Sequence, residues 1–298
     1  MTHRVFRPVM VMATALAVVS LATVTATGQV PAANRWNPPR LPDGQPDMQG
    51  VWVSDAVGAD HSVEDGRDPE SDIIQHRAAV RTPIMIVEPT DGRIPYQPEA
   101  AAKRRKLLAD IFTPTKPEHI DPHVRNLLDG VPRINYVPGA MQIRQIPGYV
   151  TIFYESNHVY RVIPLDGRPH VGTNVKLWMG DSRGRWEGST LVVDVTNFND
   201  GTWFDSHGSF HSDALHVVER WTRVSDDRIA YTVTIEDPNV FTQPWKMAIT
   251  ITRGNEKGYE QWEDARHEGD HDAENILRAG RRDKEAGVTG IHEHPRAR

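Results

Sequence analysis

Apolar and polar residues along this chain follow two regimes that meet near residue 140. Beyond that point strict alternation dominates. Ile229, Tyr231, Val233 and Ile235 share one face of a run, and Thr232, Thr234 and Glu236 share the other. Met247, Ile249 and Ile251 repeat the pattern against Thr250 and Thr252, as Leu191, Val193 and Val195 do against Asp194 and Thr196. A period of two marks a strand that buries one face. Further strands are expected over Met141–Ile146 and Tyr149–Tyr154, on either side of Pro147-Gly148, and over His158–Leu165 and Gly258–Asp264. Ala214–Val224 and Arg228–Glu236 flank the hairpin signal Ser225-Asp-Asp227. Trp178–Trp186 reads as a turn-rich loop, with a hairpin tip over Asp181–Gly188.

Before residue 140 the signals are sparser. Met48–Val53 reads as a first strand and Thr82–Val87 as a short apolar one, separated by a charged, loop-like stretch. Over Pro98–Phe112 the period changes. Proline suits the first turn, Ala100–Ala102 favour helix, and Leu107, Leu108 and Ile111 make an apolar stripe, so a helix is predicted, with Lys103–Lys106 on its solvated side. Pro114, Pro117, Pro122, Pro132 and Pro138 then interrupt regular structure. Glu274–Ala286 reads as a C-terminal helix.

Many short two-faced strands joined by turns predict a mainly β protein, an antiparallel lipocalin-like (calycin) barrel or sandwich with one or two peripheral helices. The expected organisation is a signal peptide over 1–28, a Pro-rich linker over 29–48, a single barrel domain over 49–286 with a helical insertion about 98–112, and a flexible tail over 287–298.

The signal peptide rests on Arg4 and Arg7, the apolar run Val9–Val24 and the small residues Ala26-Thr-Gly28. It implies an exported protein, periplasmic or extracellular, with no stable membrane span, since no later run reaches spanning length. The absence of cysteine excludes disulfides, thiolate metal sites and a Cys nucleophile. Loss of the leader would remove two of the 34 basic residues and none of the 40 acidic ones, leaving a net charge of −8. That balance argues against a nucleic-acid partner.

The densest candidate chemistry is Trp203–Arg220, which holds His207, His211 and His216 with Asp205, Asp213 and Glu219. His211, His216, Asp213 and Glu219, with His158, form the candidate catalytic set, because a His–carboxylate pair can act as general acid and base. In an extended strand His211, Asp213, Leu215, Val217 and Glu219 share a face and His216 points away; a bulge near Ser212–Ala214 would bring it round. The competing expectation is that Glu219 and Arg220 form cross-strand ion pairs and His216 is structural. Tyr160, Arg161, His170, Trp203 and Phe210 are candidate ligand-binding residues, with Arg161 or Arg168 able to clamp a carboxylate on a ligand. The aromatics Trp178, Trp186, Phe204 and Trp221 are further candidates for a ligand mouth or a core. Asp166-Gly-Arg168 reads as a turn held by its own side chains. His267-Glu-Gly-Asp-His271 matches the zinc-protease pattern, but Gly269 sits inside the helix that chemistry requires.

Several stretches together resemble a family of exported, largely uncharacterised bacterial proteins. They include Asp91–Pro98, Gly130–Arg133, Arg161–His170 with Asp-Gly-Arg-Pro-His, Gly180–Gly188 with Gly-Asp-Ser-Arg-Gly-Arg-Trp-Glu-Gly, Thr190–Phe198, Glu236–Pro238, and His211–Arg220 with His-Ser-Asp-Ala-Leu-His-Val-Val-Glu-Arg. Gly50-Val-Trp52 also resembles the Gly-x-Trp opening of lipocalins. The resemblance implies export and a shared fold, and no firm reaction. Similar proteins carry Cys where Asn126 and Arg266 stand here, which implies that these two positions lie close in space.

The function expected from these residues is an exported barrel enzyme acting on a small organic molecule by His/carboxylate chemistry as a lyase, isomerase or hydrolase. No cofactor is required and a divalent metal is possible. The alternative is a non-catalytic small-ligand-binding protein of the same fold.

Overall fold

The computed structural model describes residues 36–56, 62–64, 85–254, 259–264 and 269–287. The expected signal peptide, the first part of the linker and nearly all of the tail lie outside them. The described chain forms strands β1 (Gly50–Ser54) and β2 (Ile86–Glu88), helix α1 (Pro98–Phe112), then β3 (Ala140–Ile146), β4 (Tyr149–Tyr154), β5 (Tyr160–Pro164), β6 (Asp181–Glu187), β7 (Thr190–Thr196), β8 (His216–Arg223), β9 (Arg228–Glu236), β10 (Trp245–Arg253) and helix α2 (Asp272–Glu285).

The strands make one antiparallel sheet in the order β5-β4-β3-β1-β10-β9-β8-β7-β6, with β2 paired to β10 off this path. Apart from β1, which inserts between β3 and β10, neighbours in the sheet are neighbours in sequence. The nine strands curl into a nearly closed barrel. Its seam lies between β5 and β6, where close packing replaces a hydrogen-bond ladder. Pro164 on β5 has no N–H to offer a partner. Gly184 on β6 leaves room for its neighbours: a Cβ there would sit 2.7 Å from both Ile163 Cγ2 and Leu165 Cδ2.

The inward face is the one that alternation predicted. Val217, Glu219 and Trp221 on β8 register against Ile235, Val233 and Tyr231 on β9, and those against Trp245, Met247 and Ile249 on β10. Trp52, Trp221, Trp245 and Tyr231 are fully buried, so large side chains fill the barrel.

Several expected boundaries are corrected. Asp181–Glu187 is a strand, paired along its length with β7 from Asp181↔Thr196 to Glu187↔Thr190, and the true turn is Gly188-Ser189. Its inward residues are Ser182, Gly184 and Trp186, and the two small ones carry no apolar signal. β5 starts at Tyr160 because Ser156–His158 is a 3-10 turn with Asn157 and His158 at positive φ. β8 starts at His216, so His211 and Asp213 lie in the preceding loop. Residues 259–264 form no strand. Gly269 has φ +77° and His271 precedes α2 as its N-cap, so the zinc-protease helix is not formed; His267 and Glu268 lie outside the described residues. Arg266 also lies outside them, while Asn126 Nδ2 donates to Asp270 Oδ2 at 2.7 Å.

Residues 36–48 are part of the barrel floor, not a free linker. The Arg223 guanidinium lies 5.4 Å from the Trp36 ring and donates to the Asp47 carbonyl at 2.7 Å. Met48 is fully buried. Two apolar anchors in a Pro-rich stretch are enough to seat it.

The opposite end, where β7 stops and β8 begins, is closed by the Pro-broken segment and by the loop between those strands. Asn135 enters the barrel interior, and Tyr136 donates its hydroxyl to the Phe204 carbonyl at 2.6 Å. Helix α1 lies over this end, burying Ala100, Arg104 and Leu108.

Candidate functional site

The β7–β8 loop is organised by one carboxylate. Asp205 is fully buried. Its Oδ1 accepts from the amides of His207 at 3.0 Å and Ser209 at 3.1 Å, and its Oδ2 accepts from the Ser209 hydroxyl at 2.8 Å and the Val63 amide at 3.2 Å. These bonds fold 203–210 into a tight hairpin that brings Trp203 and Phe210 opposite each other as a β-bridge. Gly208 at φ +77° lets α1 approach: a Cβ there would meet Leu107 Cδ2 at 2.9 Å. Trp178 precedes β6 and rests on Gly201, where a Cβ would meet the indole at 2.8 Å.

Between α1, this hairpin, Trp178 and the segment 118–127 runs a cleft of about 460 Å³. Trp178, Trp203, Phe210, Leu107 and Leu127 supply its apolar walls; Lys103, Lys106, Arg125, His119, Asp110, Glu118 and Asp200 supply its charge, with His211 at its base. Lys106 and His119 both turn to Asp110, at 3.0 Å and 3.6 Å. Lys103 Nζ stands 4.2 Å above the Phe210 ring, a cation–π contact.

His211 is buried against Phe198 and Phe204. Its Nδ1 lies 2.8 Å from the Ser212 carbonyl, which can only accept, so Nδ1 carries the proton. Nε2 is then the acceptor for the Thr202 hydroxyl, at 2.6 Å. Burial lowers the pKa of His211 from its ordinary 6.5, opposed by the Ser212 carbonyl and by the charges of Asp237 and Asp200. The folded chain therefore binds this proton more weakly than the unfolded chain. Stability tied to His211 is complete above pH 6.5 and falls as pH drops through that value. His123 works in the opposite sense: its hydrogen bond to Asp129 raises its pKa against burial, so its contribution is lost as pH rises. We expect urea midpoints of a His211→Gln variant to fall less than those of wild type between about pH 7.5 and about pH 5. Equal slopes for the two proteins would remove this role from His211.

The other predicted residues are placed in three different environments. Glu219 is sealed inside the barrel. Arg161 clamps it through Nη1 to Oε1 at 3.2 Å and Nη2 to Oε2 at 2.6 Å, and Nη2 also reaches Ser182 Oγ at 3.0 Å. Asn135 Nδ2 and the Tyr231 hydroxyl each donate to Glu219 Oε1 at 3.0 Å, and the Tyr154 hydroxyl donates to Asn135 at 2.8 Å. Arg161 is thus committed to a protein carboxylate. Burial also pushes the Tyr154 hydroxyl up to about 12.

His216 and His170 lie on the outer surface, joined through Asp194. His170 Nδ1 is 2.9 Å from Asp181 Oδ2, His170 Nε2 is 2.8 Å from Asp194 Oδ1, and His216 Nε2 is 2.9 Å from Asp194 Oδ2. Against the cost of burial, the hydrogen bonds from His216 and His170 hold Asp194 below the usual carboxylate range. No bulge turns His216 inward. Asp213 is exposed and pairs with Lys176 at 3.0 Å. His158 is exposed on its 3-10 turn and faces the Asp264 carbonyl at 3.3 Å. Tyr160 is 63% exposed on the barrel exterior. Arg168 is held by Asp166, with Nε to Oδ1 at 2.9 Å, as the turn reading expected.

Of the ten predicted site residues, the cleft gathers His211, Trp203 and Phe210. Trp178, noted for its aromatic character, joins them. Thr202 and Arg125 carried no sequence signal; Arg125 sits in the Pro-broken stretch where no periodicity assigns a face. Among the described residues no group of three His or carboxylate side chains is arranged to hold a metal ion. No described helix is long and apolar enough to cross a membrane.

No family model matches this chain, and no curated protein matches it. Among solved structures it is similar to the wild-type fluorescent protein UnaG, at 13% identity over 50% of this chain and 85% of that one, with a TM-score of 0.24. It is also similar to a point mutant of UnaG, at 14% identity over 38% of this chain and 69% of that one, with a TM-score of 0.23. Superpositions this loose carry no argument about ligand or chemistry.

Proposed function

We propose that this is an exported protein that binds a small organic molecule in the cleft beside α1, without catalysing its conversion. The export half rests on the basic, apolar and small-residue order of positions 1–28. The binding half is carried by one observation: three aromatic side chains from two loops, Trp178, Trp203 and Phe210, converge with Leu107 and Leu127 on a cleft of about 460 Å³. That size and lining suit a small-molecule site. The interior of the barrel is a poor rival, because tryptophans and the Arg161–Glu219 network occupy it.

Binding is favoured over catalysis by the dispersal of the acid–base groups. His211 reaches the cleft, Glu219 is enclosed in the barrel and His216 is outside it. His211 has the Thr202 hydroxyl as its side-chain partner in place of a carboxylate.

The test uses N-phenylnaphthylamine, an uncharged fluorophore that brightens on leaving water. We expect saturable binding to the folded protein, weakened by about fivefold in Trp178→Ala, in line with ~1 kcal/mol for one aromatic contact. Absence of saturable binding, or an affinity unmoved by Trp178→Ala and Phe210→Ala alike, would reject the cleft as the site.

A further inference from the structure

We infer that the ligand of this cleft carries an oxyanion on a flat apolar body, and that Arg125 is the residue that receives the oxyanion. The inference rests on the cleft being the binding site.

Among the described residues the other buried arginines are spoken for. Arg161 holds Glu219 at 2.6 Å, Arg133 holds Asp121 at 2.7 Å, and Arg104 reaches Glu64 at 3.3 Å. Arg125 differs. Its guanidinium makes no ion pair or hydrogen bond among the described residues; its buried Nε is unpartnered, as are those of Arg161 and Arg133, so the missing carboxylate is what sets it apart. Asp121, the buried carboxylate nearby, is already used: Arg133 takes both of its oxygens in a bidentate pair, each at 2.7 Å. Asp110, the acid contributed by α1, is taken by Lys106 and His119. Glu118 and Asp200 remain, both exposed at the rim, and neither touches Arg125.

A half-buried guanidinium has lost part of its hydration and gained no carboxylate in return. Burial accordingly draws the pKa of Arg125 down, with Glu118 and Asp121 opposing. A planar fork whose outer N–H groups have no protein partner among the described residues is the geometry that donates to a carboxylate, sulfonate or phosphate oxygen pair. Lys103, held over Phe210, adds a second cation without a carboxylate partner among the described residues. The aromatic walls select a flat apolar body and the cations select its charged end.

Two probes of nearly equal shape isolate the charge. Anilinonaphthalene sulfonate carries an oxyanion; N-phenylnaphthylamine is the same ring system without it. For the full folded chain we expect the sulfonate to bind about tenfold more tightly, as expected of hydrogen bonds to a charged group. Arg125→Gln should cut sulfonate affinity by about tenfold and leave the neutral probe unchanged, and Arg125→Lys should keep part of the preference. On the wild-type protein, rising salt should weaken the sulfonate alone, a readout that does not depend on any variant folding. Equal affinity of the two probes, with no salt dependence and no effect of Arg125→Gln, overturns the oxyanion inference while leaving the cleft as a binding site. Failure of both probes to bind saturably overturns the cleft and this inference with it.

Discussion

Glu219→Ala is expected to lower the unfolding free energy by about 3–5 kcal/mol, the range for breaking a buried ion pair from one side. The reason is what the substitution leaves behind. Arg161 is 3% exposed and has Glu219 as its carboxylate partner. Without it a guanidinium stays charged in the barrel interior, and the Tyr231 hydroxyl and Asn135 amide lose the oxygen they share. Removing both charges behaves differently. Arg161→Met with Glu219→Leu replaces the pair by apolar volume and should recover most of the loss, because neither desolvated charge remains. Urea unfolding of the two proteins decides the matter. A loss below about 1 kcal/mol for Glu219→Ala, or a double variant no more stable than the single one, would mean that an unpaired Arg161 charge costs the core little.

Asp205→Ala should cost about 2–4 kcal/mol and also abolish probe binding, although Asp205 is not part of the cleft wall. Four donors converge on this carboxylate, and three of them are backbone amides that cannot turn elsewhere. With the carboxylate gone, the 203–210 hairpin loses its internal tie, and Trp203 and Phe210 lose their opposed positions. Asp205→Asn should be nearly as damaging, since an amide NH₂ would face either the Val63 N–H or the amides of His207 and Ser209. Thermal unfolding and N-phenylnaphthylamine titration measure the two effects together. An Asp205→Ala protein of normal stability that still binds the probe would show that the hairpin is held by α1 and the core alone.

The two predictions separate the barrel from its site. Glu219 belongs to the scaffold: it lies with its partners inside the strands, and its loss should weaken the fold as a whole. Asp205 belongs to the loop that shapes the cleft, and its loss should remove binding along with stability. The outer chain Asp181–His170–Asp194–His216 is a third system, fixed to the exterior of β6, β7 and β8 and away from both.

Alternation along the chain was enough to determine an antiparallel barrel or sandwich of two-faced strands, and the structure decides for the barrel. A strand with one buried face must repeat every two residues, and β7, β9 and β10 do so with β-branched and aromatic residues. The same parity placed Glu219 with Val217 and set His216 on the opposite face, as found. Helix α1 was legible because proline, alanines and a leucine stripe all favour the same local state. β6 was not legible: two of its three inward positions are Ser182 and Gly184, and a Cβ at Gly184 would run into Ile163 of β5 and Leu165 just beyond it. That constraint comes from the other side of the barrel and leaves no local trace. The site was hidden for the same reason. Curling of the sheet decided that Arg161 meets Glu219 in place of a ligand, and that His216 answers to Asp194. Docking of α1 on the β7–β8 loop created a cleft whose walls come from residues 103–127, 178 and 200–211. Local pattern specifies which way each side chain faces; only the folded chain specifies which distant side chain it faces, because that depends on strand order, register and loop closure.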